Sequence, residues 1–193
     1  MKKTIPVLLA CLLAAPVFAQ TASNDVNRDL RQQSRIEAGL KSGQLTTREA
    51  AHLEREESAV ERVEAKALKD GSISAGEQAR INRMQNRVSA DIHAEKHDAQ
   101  VGNPNSASNQ RMQADVQRNI NQQQRIADGI KDGSLTNREA GKLERGQART
   151  ERREYRAGID GHINAAEQAR VQRSENRQSR RIRHERHDNQ HSG

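Results

Sequence analysis

The chain has 193 residues, with 33 Lys+Arg against 26 Asp+Glu, a formal net charge of +7 and only 1% aromatic residues. Beyond the first nineteen residues Tyr155 is the one aromatic and Pro104 the one proline, and Leu, Ile, Val and Phe together fall below the roughly 20% expected of a chain that buries a conventional globular core. That inventory excludes a deep aromatic-lined substrate pocket and points to helices with thin apolar seams, or to a chain ordered by binding.

The N-terminus reads as a secretory signal peptide. Lys2 and Lys3 precede the apolar run Ile5–Ala15, and Val17-Phe18-Ala19 supplies small residues for cleavage before Gln20. The apolar run is too short for a membrane span. Leu8-Leu9-Ala10-Cys11 resembles a lipobox but lies in the middle of the apolar run, so a lipid anchor at Cys11 is not expected. Cleavage after Ala19 leaves no cysteine, which excludes disulfides and thiolate chemistry from the mature chain. A periplasmic or secreted address follows.

Residues 25–100 and 115–190 align at a constant offset of 90 with 39 identities in 76 pairs. Each segment reads as three helices, so the expected fold is all-α: a tandem duplication of a three-helix unit, elongated or bundle-like, with repeats over 20–100 and 113–190 and a linker over 101–112. The first helix carries Val26, Leu30, Ile36 and Leu40, matched by Val116, Ile120, Ile126 and Ile130. Gly43 and Gly133 stop it. Thr46 with Glu49, and Thr136 with Glu139, form capping boxes that start the second helix, with Leu45 and Leu135 placed to staple the turn. That helix runs through Leu53, Val60 and Val63 to Asp70-Gly71, and its counterpart ends at Asp160-Gly161. A third helix opens at Ser74 with Glu77, and at Asn164 with Glu167, on a seam of Ile81, Met84, Val88 and Ile92. Between the repeats, Gly102-Asn103-Pro104-Asn105-Ser106 is rich in breakers.

The copies differ in one direction. Val60, Val63, Leu68, Met84 and Val88 become Thr150, Arg153, Gly158, Ser174 and Gln178. Each change removes apolar area worth roughly 1.5–3 kcal/mol when buried, so the first repeat is expected to be the more stable. Charge separates as well: residues 20–100 hold 13 Lys+Arg and 14 Asp+Glu, net −1, whereas 101–193 hold 18 and 12, net +6.

Three constellations are candidates for binding. Asp70-Gly71-Ser72-Ile73-Ser74 with Glu77, Asp160-Gly161-His162-Ile163-Asn164 with Glu167, and the turns ending at Glu49 and Glu139 resemble the second half of an EF-hand loop. The resemblance implies helix–turn–helix geometry and a calcium ligand set that also needs oxygens at the first and third positions. Those positions hold Lys66 and Leu68 in one loop and Arg156 and Gly158 in another. The loop from Asp128 to Glu139, with Asp132 and Thr136, alone keeps carboxylates at positions one, five and twelve. The same residues also serve as helix stops and caps without any metal.

His93 with His97, and His184 with His187, lie on one helical face each, a spacing that could hold a transition metal or simply complement a helix C-terminus. Arg170, Arg173, Arg177, Arg180 and Arg181, followed by Arg183 and Arg186, form a cationic stripe suited to a polyanion such as nucleic acid, anionic lipid or an envelope polymer. No aromatic residue is available for base stacking. No glycine-rich phosphate loop and no Gly-x-Ser-x-Gly elbow occurs, and the carboxylates are expected on exposed, charge-mixed helix faces, so no catalytic residue is assigned and no enzyme is expected. The sequence thus points to an exported helical binding or structural protein, with an envelope protein, a polyanion or a second copy through the helical seams as the expected partner.

Overall fold

The computed structural model describes residues 15–188, with side chains from Thr21 onward; residues 1–14, most of the expected signal peptide and its Cys11, lie outside the described residues. The described chain is all-α: α1 (Ala15–Ser42), α2 (Thr47–Ala67), α3 (Ala75–Glu95), α4 (Ala107–Lys131), α5 (Asn137–Gly158) and α6 (Ala165–Glu185), with a single 3-10 turn at Leu68–Asp70.

The helix ends fall where local chemistry sets them. Thr46, Ser74, Thr136 and Asn164 are N-caps, each in a complete capping box with the glutamate three residues on. Gly43 and Gly133 turn the chain at φ 78° and 77°, a left-handed conformation that a side chain at either position would resist. Ser106 caps α4, so this helix begins inside the stretch 101–112 expected as linker.

The two three-helix segments are interleaved. α2 packs chiefly on α5 and α1 on α4, while α3 and α6 cover the outside. One apolar cluster unites Ile36, Leu40, Leu45 and Leu53 with Met112, Val116, Ala157 and Ile163. The other unites Val26, Leu68 and Ile81 with Ile126, Leu135 and Leu143. Each cluster draws on both segments, and the two lie toward opposite ends of the bundle. Cross-segment hydrogen bonds recur at the sequence offset of 90: Arg48 Nη2 donates to Asp160 O at 3.1 Å, and Arg138 Nη2 to Asp70 O at 3.3 Å.

Side-chain volume is complementary across the α2–α5 contact. A Cβ on Gly141 would stand 2.8 Å from Leu68 Cβ, and one on Gly158 would stand 2.7 Å from Met112 Cε and 3.0 Å from Ala51 Cβ. Leu68 and Gly158 are counterparts, as are Ala51 and Gly141. The glycine at 158 therefore makes room for Met112, and a leucine there, as at position 68, has no space to occupy. Restoring the first segment's residue by Gly158→Leu should overpack this contact and destabilise the protein by about 1–3 kcal/mol. Chemical denaturation of the two proteins checks this; equal midpoints would contradict the packing described.

Candidate metal centre

Between the two apolar clusters the interior is lined with carboxylates. α1 contributes Asp25 and Asp29, α2 Glu54, Glu57, Glu61 and Glu64, α4 Asp115, α5 Glu144, Glu151 and Glu154, and α6 Glu175, all buried. This corrects the expectation of exposed carboxylates. On α2 the spacing 54, 57, 61, 64 is that of a helical face, and α5 repeats it with Glu144, Gln147, Glu151 and Glu154. The faces meet because α2 lies on α5, with Ser58 Oγ donating to Ala148 O at 2.9 Å where the helices are close.

Among the described residues no lysine, arginine or histidine is buried. Arg118 reaches in from the rim, its Nε 3.1 Å from Glu175 Oε2. The remaining partners are amides. Gln33 Nε2 donates to Glu54 Oε2 and Glu151 Oε1, both at 3.1 Å; its counterpart Gln123 donates to Glu144 Oε2 at 3.3 Å and Glu61 Oε1 at 2.6 Å. Neutral amides orient carboxylates but supply no counter-charge.

Three groups of carboxylates have ligand oxygens within 4.8 Å of one another: Glu49, Glu95 and Asp98; Glu139, Glu185 and Asp188; and Asp29, Glu64 and Glu144 from α1, α2 and α5, of which only the last is buried throughout. Gln85 holds one edge of it: its Nε2 donates to Asp29 Oδ1 at 2.8 Å and Glu64 Oε1 at 3.0 Å. The other oxygens, Asp29 Oδ2, Glu64 Oε2 and Glu144 Oε1, are buried and receive no hydrogen bond, and the same holds for Gln85 Oε1. Oxygens bound to one calcium at 2.3–2.6 Å lie at most about 5 Å apart, so one oxygen from each of the three carboxyls fits around a single hard cation. Carboxylate and amide oxygens suit calcium, magnesium or manganese rather than a soft metal.

At the counterpart place Asn119 stands for Asp29. Its Nδ2 donates to Glu154 Oε2 at 2.7 Å and Glu54 Oε2 at 3.2 Å, which ties those two carboxylates together without a cation. Glu175 there replaces Gln85. The amide and the carboxylate have exchanged positions, so each half keeps four carboxylates and one amide. Asp25, Asp29, Glu64 and Glu144 surround Gln85 in one half. Asp115, Glu54, Glu154 and Glu175 surround Asn119 in the other.

Burial pushes these acids up, and neighbouring carboxylates push several further. Desolvation raises Asp29, Glu54 and Asp115 to about 7, and Glu144 and Glu175 to about 8. Glu57, Glu61, Glu64, Glu151 and Glu154 stand well above the usual carboxylate range for the same first reason, followed by repulsion from nearby acids such as Asp29, Glu54 and Glu151.

The constellations read from sequence lie elsewhere. Asp132 Oδ1 accepts from Ser134 N at 3.0 Å and its Oδ2 pairs with Arg186 at 2.8 Å; Glu139 Oε2 accepts from Thr136 N at 2.8 Å; exposed Asp128 accepts from Gln124. Asp70 and Asp160 accept from the backbone of residues 72 and 162, and Glu77 and Glu167 are occupied in capping. His93 and His97 stand with ring centroids 4.2 Å apart, both exposed, and His97 Nδ1 faces His93 O as His187 Nδ1 faces Arg183 O. His184 is exposed on the last turn of α6. Arg170, Arg173, Arg177, Arg180, Arg181 and Arg183 are exposed along α6, and Arg186 is partly buried against Asp132. Comparison with known proteins gives no match to any protein-family model, curated protein or solved structure.

A raised carboxyl binds more protons folded than unfolded. Its stabilising contribution is complete below the unfolded value near 4 and is lost as pH rises through the folded value. The cation-free protein should therefore be most stable near pH 4 and lose stability progressively from there to about pH 8, the upper end set by Asp29 and Glu144. Thermal melts in chelator across this range check it, and a melting temperature that rises with pH would contradict the burial described.

Proposed function

We propose that the protein is an exported binding protein that takes a hard divalent cation into the interior of its helical bundle, at Asp29, Glu64 and Glu144. Three fully buried carboxylates from three helices, each with an oxygen that receives no hydrogen bond, carry this reading. A buried anion without a counter-charge is costly, and the group must be neutralised by a proton or by a metal. Gln85 positions two of the three carboxylates from behind, the role that outer partners play around metal ligands. Export rests on the Lys2–Ala19 sequence pattern, which reads as a signal peptide.

The test is calorimetric titration of residues 20–193 with calcium, magnesium and manganese at pH 7.5, together with thermal melts. A cation present at a hundred times its Kd should add about 2.7 kcal/mol of stability. Asp29→Asn, the residue found at the counterpart position 119, should abolish that gain while raising the melting temperature of the cation-free protein above pH 7. Asp128→Ala should change neither. An unaltered cation response in Asp29→Asn would exclude the interior site, and loss of the response in Asp128→Ala would move it to the turn at Asp128–Glu139.

A further inference from the structure

A second feature, on the opposite chemical sign, lies at the α5–α6 contact. There a cleft of about 140 Å³ is walled by the guanidinium-bearing side chains of Arg149, Arg153, Arg177 and Arg181, and none of its lining residues is acidic. Its floor is polar and buried: Thr150 is 1% exposed, Ser174 5% and Gln178 4%. Arg153 Nη1 donates to Ser174 Oγ at 2.7 Å, and Thr150 Oγ1 lies 3.0 Å from Ser174 Oγ. Gln178 donates to Leu143 O at 2.9 Å, and its side chain fills the space that a Cβ on Gly146 would need, with Oε1 only 2.0 Å from that position.

The equivalent place between α2 and α3 is apolar and carries acids as well as one arginine, Arg87. Thr150, Arg153, Ser174 and Gln178 correspond to Val60, Val63, Met84 and Val88, and Gly146 and Arg181 correspond to Glu56 and Asp91. An apolar seam edged by Glu56, Asp91 and Arg87 stands where the other half has a hydroxyl-floored cleft edged by four arginines. This is the physical content of the apolar loss seen in the sequence. The seam was not merely thinned at these positions, because a built cleft replaced it.

Like charges brought together at a cleft favour a shared counter-ion. Burial, and then the guanidinium groups of Arg177, Arg149 and Arg156, hold Arg153 below the usual arginine range. Guanidinium forks match the oxygens of tetrahedral oxyanions, two donors at a time, and the Ser174 and Thr150 hydroxyls form a polar floor, with Thr150 Oγ1 also bonded to Gly146 O at 3.4 Å. At about 30 Å³ per water in the liquid, the cleft has room for a phosphate-sized ion with some of its hydration.

We infer that the α5–α6 cleft is a binding site for a phosphate-type oxyanion, clasped by Arg149, Arg153, Arg177 and Arg181 over the Ser174 and Thr150 hydroxyls. It is independent of the interior cation site, since it shares no side chain with it.

The experiment is calorimetric titration of the cation-free protein, residues 20–193, with inorganic phosphate at low ionic strength. Arg177→Ala/Arg181→Ala should weaken binding at least tenfold. Thr150→Val/Arg153→Val/Ser174→Met/Gln178→Val, which rebuilds the α2–α3 seam, should do the same; circular dichroism must show its helicity retained, and the arginine pair keeps the test open if it does not fold. Arg83→Ala/Arg87→Ala on α3 removes the same charge away from the cleft and should leave phosphate affinity within twofold. Equal weakening by the α3 pair, or undiminished binding by the α6 pair, would overturn the site. Phosphatidylcholine vesicles carrying phosphatidic acid distinguish the source. Loss of vesicle binding in the α6 pair identifies a lipid phosphomonoester as an occupant, and retained vesicle binding confines the cleft to free phosphate.

Discussion

The interior of this bundle is held under one constraint: its carboxylates are buried together with amides and hydroxyls, and among the described residues no basic side chain is buried with them. Ionised carboxylates in that setting repel one another and have lost their water, and the amides of Gln33, Gln85, Asn119 and Gln123 orient them without cancelling charge. The helices can close only if protons or a cation enter with them. Apolar clusters at either end of the bundle keep water from relieving the charge, so the polar layer and the two plugs act together. Stability is thereby coupled to what occupies the interior, which is the property a binding protein needs for its ligand to order it.

The two halves correspond at a sequence offset of 90 but differ in their interiors. Asp29 and Gln85 correspond to Asn119 and Glu175, so the amide that bridges carboxylates stands on α3 in one half and on α1's counterpart α4 in the other. One half is left with three facing carboxyls from three helices, while the other is cross-linked by Asn119. Packing follows the same logic. Gly141 admits Leu68, and Gly158 admits Met112 and Ala51, so first-segment side chains occupy space at both second-segment glycines. Such changes are tolerated only when the halves fold against each other, and α2 against α5 is the most extensive helix pairing in the molecule.

Much of the framework was legible from the residues. The turns at Gly43, Gly71, Gly133 and Gly161, all at positive φ, and the four capping boxes are local devices, fixed by residues at most a few positions apart. The seam residues Ile36, Leu40, Ile81, Val88 and Ile92 are buried as their spacing implied. The site was not legible, because hydropathy assigns glutamate to solvent and only pairing through space reveals that α2 presents Glu54, Glu57, Glu61 and Glu64 to α5. Two signals were nevertheless present: their helical-face spacing, and the identity of Glu54, Glu61 and Glu64 with Glu144, Glu151 and Glu154. The arginine stripe was visible as charge on α6. Its partners Arg149 and Arg153 lie on α5, and the cleft between them exists only once the helices are packed.

Counting the protons that leave when a cation enters tests the central claim most directly. Calorimetric titration near pH 6.5 in two buffers of different ionisation enthalpy gives that number. If the interior carboxyls are neutralised alternately by protons and metal, binding should release about one to two protons per cation, falling toward zero above pH 9. Binding with no proton release at pH 6.5 would place the cation on groups already ionised in water, outside the bundle, and would contradict the account.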